Sequence, residues 1–317
     1  MQDIKTEKAP KRRLAFSHTF ITPLLVCAVF LLLLITESVR FDGITLEPAE
    51  AYLSLVAIQL FVFMLPSIFY IRYRSLNARE TLRIRIPAPD KIMFILLCAM
   101  ILIITSILSS ALTGQLGSSV YSNRYISIVD TESGADTYLY YAICFALVPA
   151  LCEELLFRGI VMSEYQRSSV FSAVVISSLY FAMIHFDIKN LPFFFICGLV
   201  LSMCAYAANS VIASFFVHLI YNLFAIFGGG IVDRVLSSLG QLTLIIIALG
   251  VALLTCLVLT FGECQRIYAS YAKRNRESYY VVSYKKGTGA LRFFSALLSP
   301  SSLVVIVMFV IASLLGG

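Results

Sequence analysis

Nine apolar runs, most of them free of charge, leave this chain little choice of fold. They lie at roughly 16–36, 51–71, 92–112, 139–163, 170–186, 191–208, 211–230, 241–261 and 301–316. About 20 mostly apolar residues cross the hydrocarbon of a bilayer as a helix. A helix satisfies its own backbone there, where no water can. The 317 residues are 60% hydrophobic and 13% charged, against roughly half and a quarter in a soluble domain. A soluble globular domain is excluded, and an all-α polytopic membrane protein is expected. Its parts are a basic N-terminus (1–15), an eight-helix membrane core (16–261) and a basic segment with a ninth hydrophobic run (262–317).

Lys and Arg between the runs give an orientation. One side collects five in 1–15, six in 72–91, Arg167 and seven in 262–300. The other side holds Arg40, Arg124, Lys189 and Arg234 beside Glu37, Asp42, Glu47, Glu50, Asp130, Glu132 and Asp136. The N-terminus is therefore expected in the cytoplasm. The net charge of +6 reflects this bias and contact with anionic lipid, and gives no argument for nucleic acid. The basic start precedes an apolar run too long for a signal-peptide core, so the first run is read as a retained span. None of the eight cysteines forms a CxxC or a Cys/His pair at metal-ligand spacing, and their position in apolar runs suits helix packing. Tyr279–Tyr284 reads as a short strand or an interfacial stretch, and Leu291–Leu298 as a surface segment.

Against this background five ionisable groups stand inside apolar runs, besides His18 at the edge of the first: Glu153, Glu154, Arg158, His185 and His218. Charge at bilayer depth is costly and marks function by default. Glu154 and Arg158 are i and i+4, on one helix face, and can pair. Glu153 points about 100° away and has no local partner, as a general base requires. Phe181 and His185 share a face in Phe181-x-x-x-His185, and so do His218 and Asn222 in His218-x-x-x-Asn222. Taken singly, each is equally a charged helix end or a packing contact between helices.

Depth tests whether the groups can meet. With the fourth helix running to about 164, Glu153 lies ~16 Å from its basic end at 1.5 Å per residue. On the same basis His185 is ~22 Å deep, His218 ~11 Å and Asn222 ~17 Å. Three helices thus bring four polar groups to one slab. Carboxylate, imidazoles and amide together suit acid/base chemistry on a peptide bond.

At these residues the chain resembles the CPBP family of CAAX proteases and bacteriocin-processing proteins, which includes the type II CAAX prenyl proteases. Its three motifs stand here as Glu153-Glu154-x-x-x-Arg158, Phe181-x-x-x-His185 and His218-x-x-x-Asn222, in order, within 140–230. The resemblance implies an eight-helix intramembrane endopeptidase core entered from the cytoplasmic side. It implies Glu153 as base, His185 helping to activate water, and His218 and Asn222 stabilising the oxyanion. Glu154, Arg158 and Phe181 would support them. The expected partners are membrane lipids and a membrane-associated peptide or protein, and the expected location is the cell membrane if the source is prokaryotic.

No cofactor is expected. The residue types also fit a second arrangement, in which His185, His218 and Glu153 bind zinc as a His₂Glu set, although no HExxH spacing is present. Two other functions suit the same residues. One is a non-proteolytic bacteriocin-immunity or scaffold protein with this fold. The other is a proton-coupled transporter, disfavoured by the lack of inverted repeats or paired broken helices.

Overall fold

The computed structural model describes residues 18–38, 48–113, 135–229, 232, 241–273 and 289–315. Every described regular element is helical. In chain order they are α1 (His18–Ser38), α2 (Pro48–Arg74), the short α3 (Ala78–Leu82) and α4 (Ile92–Thr113). A continuous helix over 135–166, α5, follows; then come α6 (Val170–Met183), α7 (Leu191–Ala208) and α8 (Val211–Phe227). The chain closes with α9 (Leu242–Lys273), α10 (Gly289–Leu297) and α11 (Pro300–Leu315).

All nine apolar runs are helices, so the polytopic all-α class holds. Six of them are long and apolar enough to cross a bilayer. Helices α6 and α8, with 14 and 17 residues, extend only ~21 and ~26 Å, against a hydrocarbon core of about 30 Å. Helix α8 carries His218, and His185 follows α6 by two residues. Helices α10 and α11 meet at a 58° bend, a broken span or a re-entrant turn.

Two departures from the expected boundaries have local causes. Helix α9 runs past 261 to Lys273. Its extension is docked rather than free: Lys91 Nζ donates to Tyr271 Oη and to Ala208 O (2.8 Å), and Tyr271 Oη donates to Ala207 O (3.2 Å). Helix α6 stops at Met183, before His185. The N-terminal 1–15, the arginines at 40, 124 and 234 and the stretch 279–284 lie outside the described residues.

Between membrane helices there is little hydrophobic driving force, so small residues and interhelical hydrogen bonds hold the bundle. Helix α7 approaches α6 closely at Gly198, where a Cβ would come 2.8 Å from Ser178 Cα. Ser177 Oγ donates to Phe157 O at 2.8 Å, joining α6 to α5. Ser169 and Ser210 cap the starts of α6 and α8, each accepting from a backbone N–H three residues on, as short polar side chains do at helix N-termini.

At the end of the bundle where α2 and α5 finish, buried Glu164 accepts from Arg74 (2.9 Å), Arg167 (2.8 Å) and Tyr70 Oη (3.3 Å). Tyr70 in turn contacts Thr22 of α1 at 2.9 Å. One carboxylate therefore ties three helices. Removing it leaves Arg74, only 10% exposed, without its charge partner. Glu164→Ala is expected to destabilise the protein by about 3–5 kcal/mol, read as a fall in the melting temperature in detergent.

Candidate active site

Helix α5 is irregular at the motif. Two π-helical stretches, Ala142–Leu147 and Leu155–Val161, flank the α-helical Val148–Glu154 that carries both glutamates. Such π segments recur at functional sites. Pro149 has no N–H to give the ladder, and Asn222 Nδ2 of α8 donates to Ala146 O at 3.4 Å just before it. The second π stretch lies under α3. Arg83, in the left-handed region at φ 47°, donates to Arg158 O and to Ser163 Oγ, and its own carbonyl accepts from Val211 N at the start of α8.

The expected pair forms. Arg158 Nη1 donates to Glu154 Oε1 at 2.6 Å, with both side chains fully buried. Arg158 Nη2 also reaches Gly198 O at 3.2 Å, and its guanidinium lies 4.3 Å from the centroid of the Phe181 ring. The same Glu154 Oε1 accepts from His218 Nδ1 at 3.0 Å. Glu154 therefore fixes a helix partner and one imidazole together. An ionised carboxylate only accepts, so the proton shared with it sits on His218 Nδ1, and Nε2 is the nitrogen left for chemistry.

His185 stands in the turn after α6. Its Nδ1 donates to Phe181 O at 3.1 Å, covering one of the last carbonyls of the helix. The sequence's i, i+4 relation is thereby kept although the helix has ended. The ring also stacks on Phe194 of α7 (centroids 3.8 Å apart, planes at 16°). The next residue, Phe186, adopts φ 48°, an uncommon conformation for a bulky residue, and packs against Phe30 of α1 at 5.1 Å. Phe181 is the hub: His185 and His218 meet it edge-on at 5.3 and 5.7 Å. Both imidazoles are thus held through Nδ1, and each keeps Nε2 unspent.

These groups enclose a cavity. Its polar wall is His185, His218, Tyr221 and Cys197, and Phe181 and Phe194 are part of its apolar wall. Glu153, not one of the residues that line this cavity, is buried on α5 in electrostatic reach of His218 and Arg158, and among the described residues its Oε2 makes no hydrogen bond. Asn222 is fully buried behind the wall, with its amide on Ala146 O. The fold thus brings Glu153, Glu154, Arg158, Phe181, His185 and His218 into one neighbourhood, with Asn222 one layer back. Among the described residues no three His, Cys, Asp or Glu side chains are grouped as a metal ion would need. His185, His218 and Glu153 do not stand as a His₂Glu set among the described residues.

Sequence reasoning missed Phe194, Gly198 and Tyr221. Gly198 breaks an otherwise apolar run, and Tyr221 precedes Asn222; both were visible signals. The stacking of Phe194 on His185 had none.

An all-α fold with six helices long and apolar enough to cross a bilayer is that of an integral, multi-pass membrane protein, and its interior holds a carboxylate–imidazole cluster. The comparisons agree. Residues 135–224 match the family model for type II CAAX prenyl endopeptidase, Rce1-like proteins. The chain is also 24% identical over 214 residues to the membrane-embedded CAAX protease MroQ of Staphylococcus aureus (strain USA300), covering 63% of this chain and 84% of that protein. The resemblance to the CPBP family read from the three motifs is therefore supported by both. No solved structure matches the chain.

Proposed function

We propose that this protein is an intramembrane endopeptidase that cuts a peptide bond in a membrane-associated peptide or protein, using water activated by Glu153. The observation that carries the reading is the unequal use of two adjacent carboxylates. Glu154 is committed to Arg158 and His218. Both carry an Oε2 that bonds nothing among the described residues, but Glu153 has no ion pair there while Glu154 is fully buried in one, and an uncommitted buried carboxylate persists where it has work to do.

In this reading His185 accepts one O–H of the water through Nε2, and the other O–H points at Glu153. The water oxygen attacks the carbonyl carbon as its proton passes to Glu153, and the C=O electron pair moves onto oxygen. Glu153 then returns the proton to the leaving nitrogen as the C–N bond breaks. Arg158 and Glu154 hold the histidine frame. Asn222 secures the backbone at Ala146, and His218 and Asn222 stabilise the oxyanion, the role the family resemblance gives them. The charge split of the loops supports an N-terminus in the cytoplasm and access from that side. The partners are lipids and the membrane-bound substrate.

The test is cleavage of a quenched peptide library by the full-length protein in detergent. His185→Ala is expected to lower kcat/KM by roughly 100-fold or more, the lower range of general acid–base contributions, and a chelator to leave wild-type cleavage unchanged. Loss with chelator and recovery with zinc would replace the glutamate mechanism with a metal one. A wild type that cleaves no peptide while Glu153→Ala leaves its cellular phenotype intact would favour an immunity or scaffold role.

A further inference from the structure

We infer that Phe186 is a positioning residue of the site: clamped against Phe30 of α1, it fixes the turn that carries His185. This rests on the endopeptidase reading. It also gives a part in the reaction to α1, which lies outside the 135–224 stretch that matches the family model. The need for it arises because His185 stands past the end of α6. A residue inside a helix is aimed by the regular backbone ladder. One beyond the end is aimed by its own contacts and by the turn that holds its Cα. The ring contacts of His185 are the Phe181 carbonyl at 3.1 Å and the Phe194 stack at 3.8 Å. They orient the imidazole only if the turn itself is fixed.

The backbone N–H groups of His185 and Phe186 donate to Ala182 O (3.4 Å) and Met183 O (3.2 Å), which tightens the last turn of α6. The chain then leaves through Phe186 in the left-handed region, at φ 48°. Helices usually place glycine at such an exit, because a bulky L residue is disfavoured there. A conformation of this kind persists when the surroundings over-determine it. Here the determinant is the side chain. The Phe186 ring meets Phe30 edge-on, 5.1 Å away at 75°. Phe30 is wholly buried, and α1 is itself anchored. Its Thr22 hydroxyl bonds Tyr70 Oη of α2 at 2.9 Å, and Thr19 O accepts from Ser299 Oγ, just before α11, at 2.9 Å. On the other side of Phe186, Asp187 Oδ1 accepts from Lys189 N (2.9 Å) and Asn190 N (3.0 Å), and leads the chain into α7 and Phe194. A glycine would suit the backbone at 186 better. A phenylalanine suits it only through its ring, and that ring ties the His185 turn to α1. A misplacement of about 1 Å at a reacting group can cost roughly 100-fold in rate, so this tie sets how well Nε2 meets the water.

The test compares the full-length wild type with Phe186→Leu, Phe186→Gly, Phe30→Leu and Phe293→Leu in detergent. Phe293 is the control, since it makes a similar edge-on pair with Phe171 at the other end of α6, 5.3 Å away at 61°. Phe186→Leu and Phe30→Leu should each lower kcat by roughly 10–100-fold with KM nearly unchanged, because the turn acts on the water through His185 and not on the peptide. The two together should cost no more than either alone, since both break one contact. Phe186→Gly relaxes the backbone and should lose as much kcat as Phe186→Leu, which assigns the effect to the ring. Spectra of the ¹⁵N-histidine-labelled protein read the same contact without cleavage. The chain has three histidines, and His185→Ala identifies the signals of His185. Those signals should move in the Phe186 and Phe30 variants, as the stack on Phe194 loosens, and stay in place in Phe293→Leu. If all three leucine variants lower the melting temperature alike and leave kcat and the His185 signals unchanged, Phe186 is a packing residue and the assignment fails. Full activity in Phe186→Gly beside a dead Glu153→Gln overturns this inference alone. A wild type that cleaves nothing overturns the endopeptidase reading with it.

Discussion

Glu153→Gln is expected to fold as the wild type does and to lose about 10²–10⁴ of kcat/KM, the full contribution of a general base. Glutamine has the shape of glutamate but cannot take a proton at neutral pH, so the substitution isolates the chemistry from the packing. The structural cost should be small or negative. Among the described residues Glu153 makes no ion pair and its Oε2 no hydrogen bond, so the variant exchanges a buried carboxylate for a neutral amide. Measuring kcat/KM on a cleaved peptide and the melting temperature in the same detergent separates the two effects. Wild-type turnover in Glu153→Gln would remove Glu153 from the mechanism. A large loss of melting temperature would mean that the carboxylate is structural.

The second large effect belongs to stability. Arg158→Ala should destabilise the bundle by about 3–5 kcal/mol, enough to abolish recovery of monodisperse protein. The guanidinium is wholly buried, bonds Glu154 and Gly198 O, and lies over Phe181. Its removal strands the Glu154 charge, which is 0% exposed. Arg158→Lys should recover little, because an ammonium cannot reproduce the planar fork that serves a carboxylate, a carbonyl and a ring face together. The double variant Glu154→Leu/Arg158→Met is the sharper test. Replacing both partners of a buried pair with apolar groups is often close to neutral, so the fold should return. Cleavage should not return with it, since His218 Nδ1 then has no acceptor to set its tautomer. An Arg158→Ala protein as stable as wild type would show that the pair is not holding the helices.

The three motifs were legible in the chain because bilayer depth makes every polar side chain conspicuous. Glu153, Glu154, Arg158, His185 and His218 stood out as the only ionisable groups within their apolar runs, and the i, i+4 rule was sufficient to pair Glu154 with Arg158. Depth counting also brought the three helices to one level. The nature of the contacts between those helices was not legible. That Glu154 rather than Glu153 receives His218, that Asn222 turns to Ala146 O, and that α6 ends before His185 depend on how α5, α6 and α8 rotate against one another. Each helix turns its neighbour's side chains by packing, through Gly198 on Ser178 and Phe181 between the imidazoles, and no sequence spacing within one helix encodes that rotation.

The sequence alone determined the membrane class, the helical class, the charge asymmetry of the two faces and the membership of the polar cluster. Each follows from the cost of leaving a backbone or a charge unsatisfied in hydrocarbon. Only the tertiary structure decided which carboxylate is spent and which is left, which ring nitrogen faces the cavity, and that Tyr221 shares its wall. Those outcomes rest on hydrogen bonds between residues far apart in the chain, such as Glu154 with His218 at 3.0 Å, whose geometry exists only once the helices have packed.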